Sequence, residues 1–252
     1  MSTRHAWLAE RPFTLVLSAG FFGFFAHTGV LAALTAAGLR PRRVVGVSAG
    51  ALAGGLFAAG MDPAALTEEL CRLRRPDFWD PAIPLGGLLR GEKFRDKLRD
   101  LLGSQGVRSF EECPIPFAAV VHDVLRRRPE AVERGPLVPA IRASCTVPLM
   151  FRPLWIDRTL LVDGGVSDRH GLCALSPGER VLMHALPSTS GGSRLLPPQP
   201  VPTSAAEREV LAIPGLPRVS PFRLDHGKDA LGRAYAHVRA WLREPRDAAT
   251  SG

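Results

Sequence analysis

The 252-residue chain is 46% hydrophobic, enough for a real core, and its length suits one large α/β domain. Its net charge of +8 comes from arginine, since only Lys93, Lys97 and Lys228 are lysines; this admits an anionic lipid surface, while the lack of any nucleic-acid motif or interleaved aromatics argues against nucleic acid. Cys71, Cys113, Cys145 and Cys173 are far apart with no C-x-x-C, which excludes zinc and redox motifs and suits reduced thiols.

Residues 1–12 read as an N-terminal tail. No apolar run precedes Arg11-Pro12, which argues against a signal peptide, so a cytoplasmic location is expected, with peripheral contact at a membrane. Residues 13–17 read as a strand, 18–23 as a glycine-bearing loop, and 27–37 as a helix ended by Gly38. The apolar stretch 13–39 is long enough to span a bilayer, and a transmembrane hairpin over 13–56 is the alternative. A β-branched run, a glycine turn and an Ala-rich run in each half read instead as a buried parallel strand and its helix.

Residues 44–47 form a second strand and 49–59 a helix. Asp62 as N-cap and Pro63 at the first helical position start another helix, running to about residue 74. A proline-rich loop with Trp79 follows. Residues 92–102 form an amphipathic helix with Phe94, Leu98, Leu101 and Leu102 on one face and Gly103 behind it.

Residues 117–121 read as a buried strand and 139–144 as a short helix. Residues 154–156 and 160–162 form a hairpin around Asp157-Arg158, and 181–185 one more strand. The Pro-, Ser- and Gly-rich stretch 187–221 reads as an irregular excursion. A final helix spans 225–243, with Leu231, Tyr235, Val238 and Leu242 at helical spacing. The organisation is a tail (1–12), a catalytic domain (13–186), the excursion, and a C-terminal helical segment (222–252) packed on the same domain. Alternating strands and helices imply an α/β fold, a three-layer α/β/α sandwich with a mostly parallel central sheet.

The most informative motif is Gly46-Val47-Ser48-Ala49-Gly50, set between a strand and a helix. A serine at such a turn stands clear of the sheet, and Gly46 and Gly50 let backbone pack closely around it. The helix N-terminus beyond it favours developing negative charge.

An α/β-hydrolase places several strands before its nucleophile; here only one precedes Ser48, so the base need not be histidine. Asp163 is the better candidate, because it ends the apolar run 160–162 and is followed by the turn glycines Gly164 and Gly165. A Ser48, Asp163, His226 order remains the histidine alternative. The loop 18–23 sits at the same carboxyl edge as Ser48, so the N–H groups of Gly20 and Phe21, with that of Ala49, are candidate oxyanion donors. His27 reads as packed or hydrogen-bonded. Phe21, Phe22, Phe24 and Phe25 read as an acyl groove or as core. Asp123 reads as a turn former.

These segments resemble the patatin-like phospholipase family. The likeness lies in 23–31 for the glycine loop and its helix, 46–50 for the nucleophile, 143–153, and Asp163-Gly164-Gly165 for the acid. The resemblance implies a Ser–Asp dyad of Ser48 and Asp163, hydrolysing lipid acyl esters without metal or cofactor. Many members carry three glycines and then a basic residue in the oxyanion loop. Here Ser18, Ala19, Gly20 and Phe22 stand there, which looks closer to the animal triglyceride-lipase and adiponutrin branch. Where the family often has Asn and Pro after the acid, this chain has Arg169 and Gly171. A lipid-surface binding module with little or no activity is the alternative function.

Overall fold

The apolar runs that read as buried strands pair into one sheet. A computed structural model describes residues 2–82, 87–187 and 199–246. In chain order the strands are β1 (Thr14–Leu17), β2 (Arg43–Val47), β3 (Phe117–Asp123), β4 (Arg128–Val132), β5 (Leu154–Ile156), β6 (Thr159–Asp163), β7 (Val181–His184) and β8 (Arg208–Leu211). The sheet order is β5-β6-β3-β2-β1-β7-β8, with β4 also paired to β3. β8, β7, β1, β2 and β3 run parallel, and β4, β5 and β6 join in antiparallel pairs. The α/β class and the mostly parallel central sheet therefore hold.

The helices are α1 (Arg4–Glu10), α2 (Phe24–Ala36), α3 (Ala49–Ala58), α4 (Pro63–Arg72), α5 (Glu92–Ser104), α6 (Leu137–Ser144) and α7 (His226–Trp241). They share one core with the sheet face that carries Leu15, Leu17, Val44, Phe117 and Leu182. Each fully buried Leu or Phe there contributes roughly 1.5–3 kcal/mol. The opposite face, with Val16, Val45, Val47, Val120 and Met183, packs a smaller core under Ala174 in a short 3-10 turn, so that layer is thin. Residues 13–56 fold as β1, α2, β2 and α3, and among the described residues no helix is long and apolar enough to cross a membrane.

Several elements differ from the sequence reading. Residues 4–10, read as tail, form α1 because Thr3 caps it and Trp7 and Leu8 are buried. Trp7 lies between the guanidinium groups of Arg180 (4.5 Å) and Arg246 (4.3 Å), partners far along the chain. Residues 208–211, read as irregular, form β8 against β7, while 188–198 lie outside the described residues. α5 continues through Gly103. The buried residues of α7 are Gly227, Ala230, Ala234, Val238 and Trp241; of those expected at helical spacing, Val238 and Leu242 are buried and Leu231 and Tyr235 pack partly buried against the core. α7 crosses α2 so closely that a Cβ on Gly29 would stand 2.3 Å from the Leu231 carbonyl oxygen, so small residues occupy the contact. The Asp62–Pro63 start is as read: Asp62 accepts from the Ala64 N–H at 2.7 Å.

Candidate active site

β2 ends at Val47 and α3 begins at Ala49, leaving Ser48 to make the whole turn, at φ 54° and ψ −117°. A positive φ on a side chain-bearing residue is strained and persists only where its surroundings hold it. The two glycines are sterically required. A Cβ on Gly50 would lie 2.0 Å from the Leu17 carbonyl oxygen, and one on Gly46 2.5 Å from Ala51 Cα. The end of α6 holds the turn from the other side. The Ser48 N–H donates to Ser144 Oγ (2.9 Å), whose hydroxyl donates to the Val120 carbonyl (2.6 Å). The Ser48 carbonyl accepts from the Leu52 N–H (3.0 Å) and the Cys145 thiol (3.1 Å).

β3 outlasts β2. Val47 pairs with Val120, and the next residue, Val121, pairs with Asp163 at the end of the antiparallel β6. β4 occupies the other edge of β3 from Ala119 to Asp123, so β2 and β6 approach head-on along one edge. The Ser48 side chain is brought close to the Asp163 carboxylate as a result. Gly164 lets the turn lie against the Val120 carbonyl, which a Cβ would meet at 2.3 Å. Asp163 Oδ1 also accepts from the Gly165 N–H (2.8 Å). Burial pushes Asp163 up to about 6, against the downward pull of Ser48, Gly165 and the charge of Arg169.

Arg169 and Gln199 brace this turn, and sequence reasoning missed their roles. The buried Arg169 donates from Nη2 to the Pro187 carbonyl (2.9 Å), and its own carbonyl accepts from the Ala19 N–H (2.8 Å). Gln199 accepts from the Arg169 N–H (2.7 Å) and donates to the Gly165 carbonyl (3.2 Å). The acid turn and the glycine loop are thus tied together through Arg169. Only the departure at Arg169 was visible in the sequence. Gln199 carried no signal.

Among the described residues the N–H groups of Gly20, Phe21 and Ala49 make no hydrogen bond, and all three residues line one cavity with Ser48. The loop is fixed from below. Ser18 Oγ accepts from the Leu186 N–H (2.9 Å), and His27 Nε2 meets the Ser18 carbonyl (2.9 Å). That contact places the Nε2 proton on His27, so His27 Nδ1 accepts from His184 Nδ1 at 2.8 Å. Burial lowers His27 to about 4, and lowers His184 well below the usual histidine range. His27 is therefore packed and hydrogen-bonded, as its sequence context suggested.

His226 contacts the Arg218 carbonyl (3.2 Å) and lies off the Ser48 cavity. Among the described residues no histidine bonds to Ser48 or Asp163. Asp123 accepts from the N–H groups of Leu125 and Arg126, both at 2.9 Å, as a turn former does.

The cavity opens to solvent, holds about 150 Å³, and is walled by α4, α5 and the short 3-10 turn Arg75–Asp77. Phe21, Phe22 and Phe24 line it, whereas Phe25 is buried against Gly227. Among the described residues no group of three or more His, Cys, Asp or Glu is placed to hold a metal ion.

The model of the patatin-like phospholipase family matches residues 15–172. An uncharacterized NTE family protein of Mycobacterium tuberculosis H37Rv is 38% identical over 156 residues, 61% of this chain and 42% of that one. Neuropathy target esterase sws of Drosophila melanogaster is 28% identical over 167 residues, 63% of this chain and 12% of that one. The chain therefore spans less than half of these curated relatives. Among solved structures, VipD from Legionella pneumophila superposes with a TM-score of 0.67 at 13% identity, covering 92% of this chain and 66% of that one. The type III effector ExoU superposes with a TM-score of 0.54 at 17% identity, covering 92% and 52%. At these identities the likeness is one of fold.

Proposed function

The chain belongs to the patatin-like phospholipase family, and from that premise we propose that it is a serine hydrolase of lipid acyl esters working through a dyad of Ser48 and Asp163. The Asp163 carboxylate takes the Ser48 proton as the hydroxyl oxygen attacks the ester carbonyl. The N–H groups of Gly20, Phe21 and Ala49 receive the oxyanion; losing one such donor typically costs ~10²–10³ in turnover. Collapse of the tetrahedral intermediate breaks the ester bond, and Asp163 returns the proton to the leaving alcohol or lysolipid. Water then attacks the acyl-serine, giving its proton to Asp163, and Ser48 regains that proton as the fatty acid departs.

The observation that carries this reading is the approach of a strained, cavity-lining serine to a buried carboxylate. Peripheral contact with a lipid surface belongs to the same proposal. Exposed Leu88, Leu149 and Phe222 adjoin the cavity-lining Leu89, Met150 and Trp79, and Arg75 stacks over the Phe222 ring at 5.4 Å. The test is a panel of lipid esters assayed with the wild type and Ser48→Ala, together with labelling by a fluorophosphonate. Wild-type hydrolysis that disappears in the variant, with an adduct on Ser48, is the expected outcome. No adduct and no turnover would favour the binding module, for which the apolar Phe22 in place of a basic residue is the motive.

A further inference from the structure

Two buried imidazoles that the proposed reaction does not use lie beneath the oxyanion loop. His27 is in the first turn of α2, and His184 ends β7 opposite Leu17 of β1. Both are fully buried, and the rings meet edge to face with centroids 4.7 Å apart. Burial disfavours charge on either ring, and the other groups that act on the pair, Arg169 and His237 of α7, push the same way, so each ring carries one proton. A carbonyl only accepts, so the contact of His27 Nε2 with the Ser18 carbonyl (2.9 Å) takes the His27 proton. His27 Nδ1 is left to accept from His184 Nδ1 at 2.8 Å. Among the described residues His184 Nε2 then has no partner. An imidazole that leaves a nitrogen unpaired in the core costs folding free energy, so packing does not account for the pair.

The Ser18 carbonyl shares a peptide unit with the Ala19 N–H, which donates to the Arg169 carbonyl (2.8 Å). That unit is thus pinned at both ends, and the next one carries the Gly20 N–H. In the unit after that the Gly20 carbonyl accepts from the Gly23 N–H (2.8 Å), which turns the Phe21 N–H the opposite way. With His27 in its other tautomer, a nitrogen lone pair would face the Ser18 oxygen at 2.9 Å and the first unit would have to turn. We propose that His184 is a positioning residue for the oxyanion site. By donating to His27 Nδ1 it locks His27 in the Nε2–H tautomer, and His27 holds the Ser18–Ala19 peptide so that the Gly20 and Phe21 N–H groups open onto the Ser48 cavity. This rests on the reading of Ser48 as nucleophile.

The experiment uses the full chain and p-nitrophenyl butyrate. His184→Leu removes the donor to His27. His184→Asn replaces it with an amide N–H near the Nδ1 position. His27→Gln offers Ser18 an amide N–H that has no tautomer to lose. In His184→Leu, kcat is expected to fall by ~10²-fold, the worth of one misaimed oxyanion donor, with KM little changed. His184→Asn should recover most of that loss. In the His27→Gln background, His184→Leu should cost no further kcat. A packing role alone would lower stability without producing this pattern. If the leucine variant does not fold, His184→Met takes its place.

A second readout is independent of turnover. In Ser48→Ala, proton–nitrogen correlation spectra show which nitrogen of His27 bears the proton: Nε2 with histidine or asparagine at position 184, a mixture with leucine. The amide signals of Gly20 and Phe21 should shift with leucine and return with asparagine. An Nδ1–H tautomer with His184 in place, amide signals indifferent to position 184, or a further loss of kcat in the His27→Gln background overturns the proposal. Absence of ester hydrolysis in the wild type alongside the expected spectra would count against the hydrolase reading and leave the histidine lock standing.

Discussion

The Ser48 hydroxyl and the Asp163 carboxylate meet because β2 and β6 run toward each other along the same edge of β3, ending opposite the adjacent residues Val120 and Val121. Register, not side-chain reach, brings them together. A base at the end of a strand can be no better aligned than the strand itself, which makes the residues that fix these two ends the natural places to perturb the chemistry.

The first expectation concerns pH. Only the carboxylate form of Asp163 can accept the Ser48 proton, and burial holds it at about 6. Turnover of a soluble ester should therefore fall as pH falls through about 6, and not near the ordinary carboxylate value. The Arg169 charge is one of the groups pulling Asp163 down. Arg169→Met should move the acid limb of kcat/KM upward by about one unit, while Arg169→Lys should largely hold it. A limb that stays put in Arg169→Met would remove Arg169 from the electrostatics of the dyad.

The same burial predicts an exchange of stability for activity. Asp163 has a folded pKa above its unfolded one, so the folded state binds the proton more tightly. Its ionisation costs nothing below the unfolded value near 3.8, and the cost grows as pH rises to about 6 and is full above it. Asp163→Asn keeps a neutral group there and should be more stable than wild type by ~1–3 kcal/mol at pH 8, with the gap closing toward pH 4. Urea denaturation at the two pH values measures this. A variant less stable than wild type at pH 8 would contradict it.

Ser144 tests the support beneath the nucleophile. Its hydroxyl is fully buried, accepts from the Ser48 N–H and donates to the Val120 carbonyl. Ser144→Ala leaves two buried backbone groups without that partner, at about 1–3 kcal/mol each by unpaired-group measures. Thermal unfolding should fall accordingly. Because Ser144 borders the turn and not the apolar cavity, kcat should fall more than KM rises. A larger change in KM than in kcat would argue that Ser144 shapes the substrate pocket instead.

The two tight turns at Ser48 and Asp163 were legible in the residues because glycines flank both. Gly46 and Gly50 around Ser48, and Gly164 and Gly165 after Asp163, mark places where backbone meets backbone, and that requirement is local. Other features depend on distant partners. β4 carries Pro129, tolerated because this strand pairs only with β3. β8 buries Glu209 against Arg4 and Arg246, so its burial pattern does not read as apolar. α1 is held by the stacking of Arg180 and Arg246 on Trp7. Ser144 and Gln199 are ordinary polar residues until the fold brings unpaired backbone groups to them. On α7 the expected Leu231, Tyr235, Val238 and Leu242 all pack on the core, but the close crossing with α2 rests on glycine and alanine, which carry no apolar signal.

Two glycines separate steric necessity from helix propensity. Gly50 and Gly232 both sit inside helices, α3 and α7. A Cβ at Gly50 would stand 2.0 Å from the Leu17 carbonyl oxygen and 2.5 Å from its carbon, both backbone atoms that cannot turn away. A Cβ at Gly232 would meet nothing within 4 Å. Alanine at position 232 should therefore stabilise the protein by about 0.5–1 kcal/mol, the ordinary gain over glycine in a helix. Alanine at position 50 must push α3 away from the end of β1, separating Ala49 from Gly20 and Phe21 and widening the oxyanion site. Gly50→Ala should lose several kcal/mol of stability by overpacking, or fail to fold. Whatever folds should turn over esters at least ~10²-fold more slowly, as after loss of one oxyanion donor. Urea titrations and ester assays of both variants decide the matter: a Gly50→Ala protein with wild-type activity would mean that the approach of α3 to β1 plays no part in building the site.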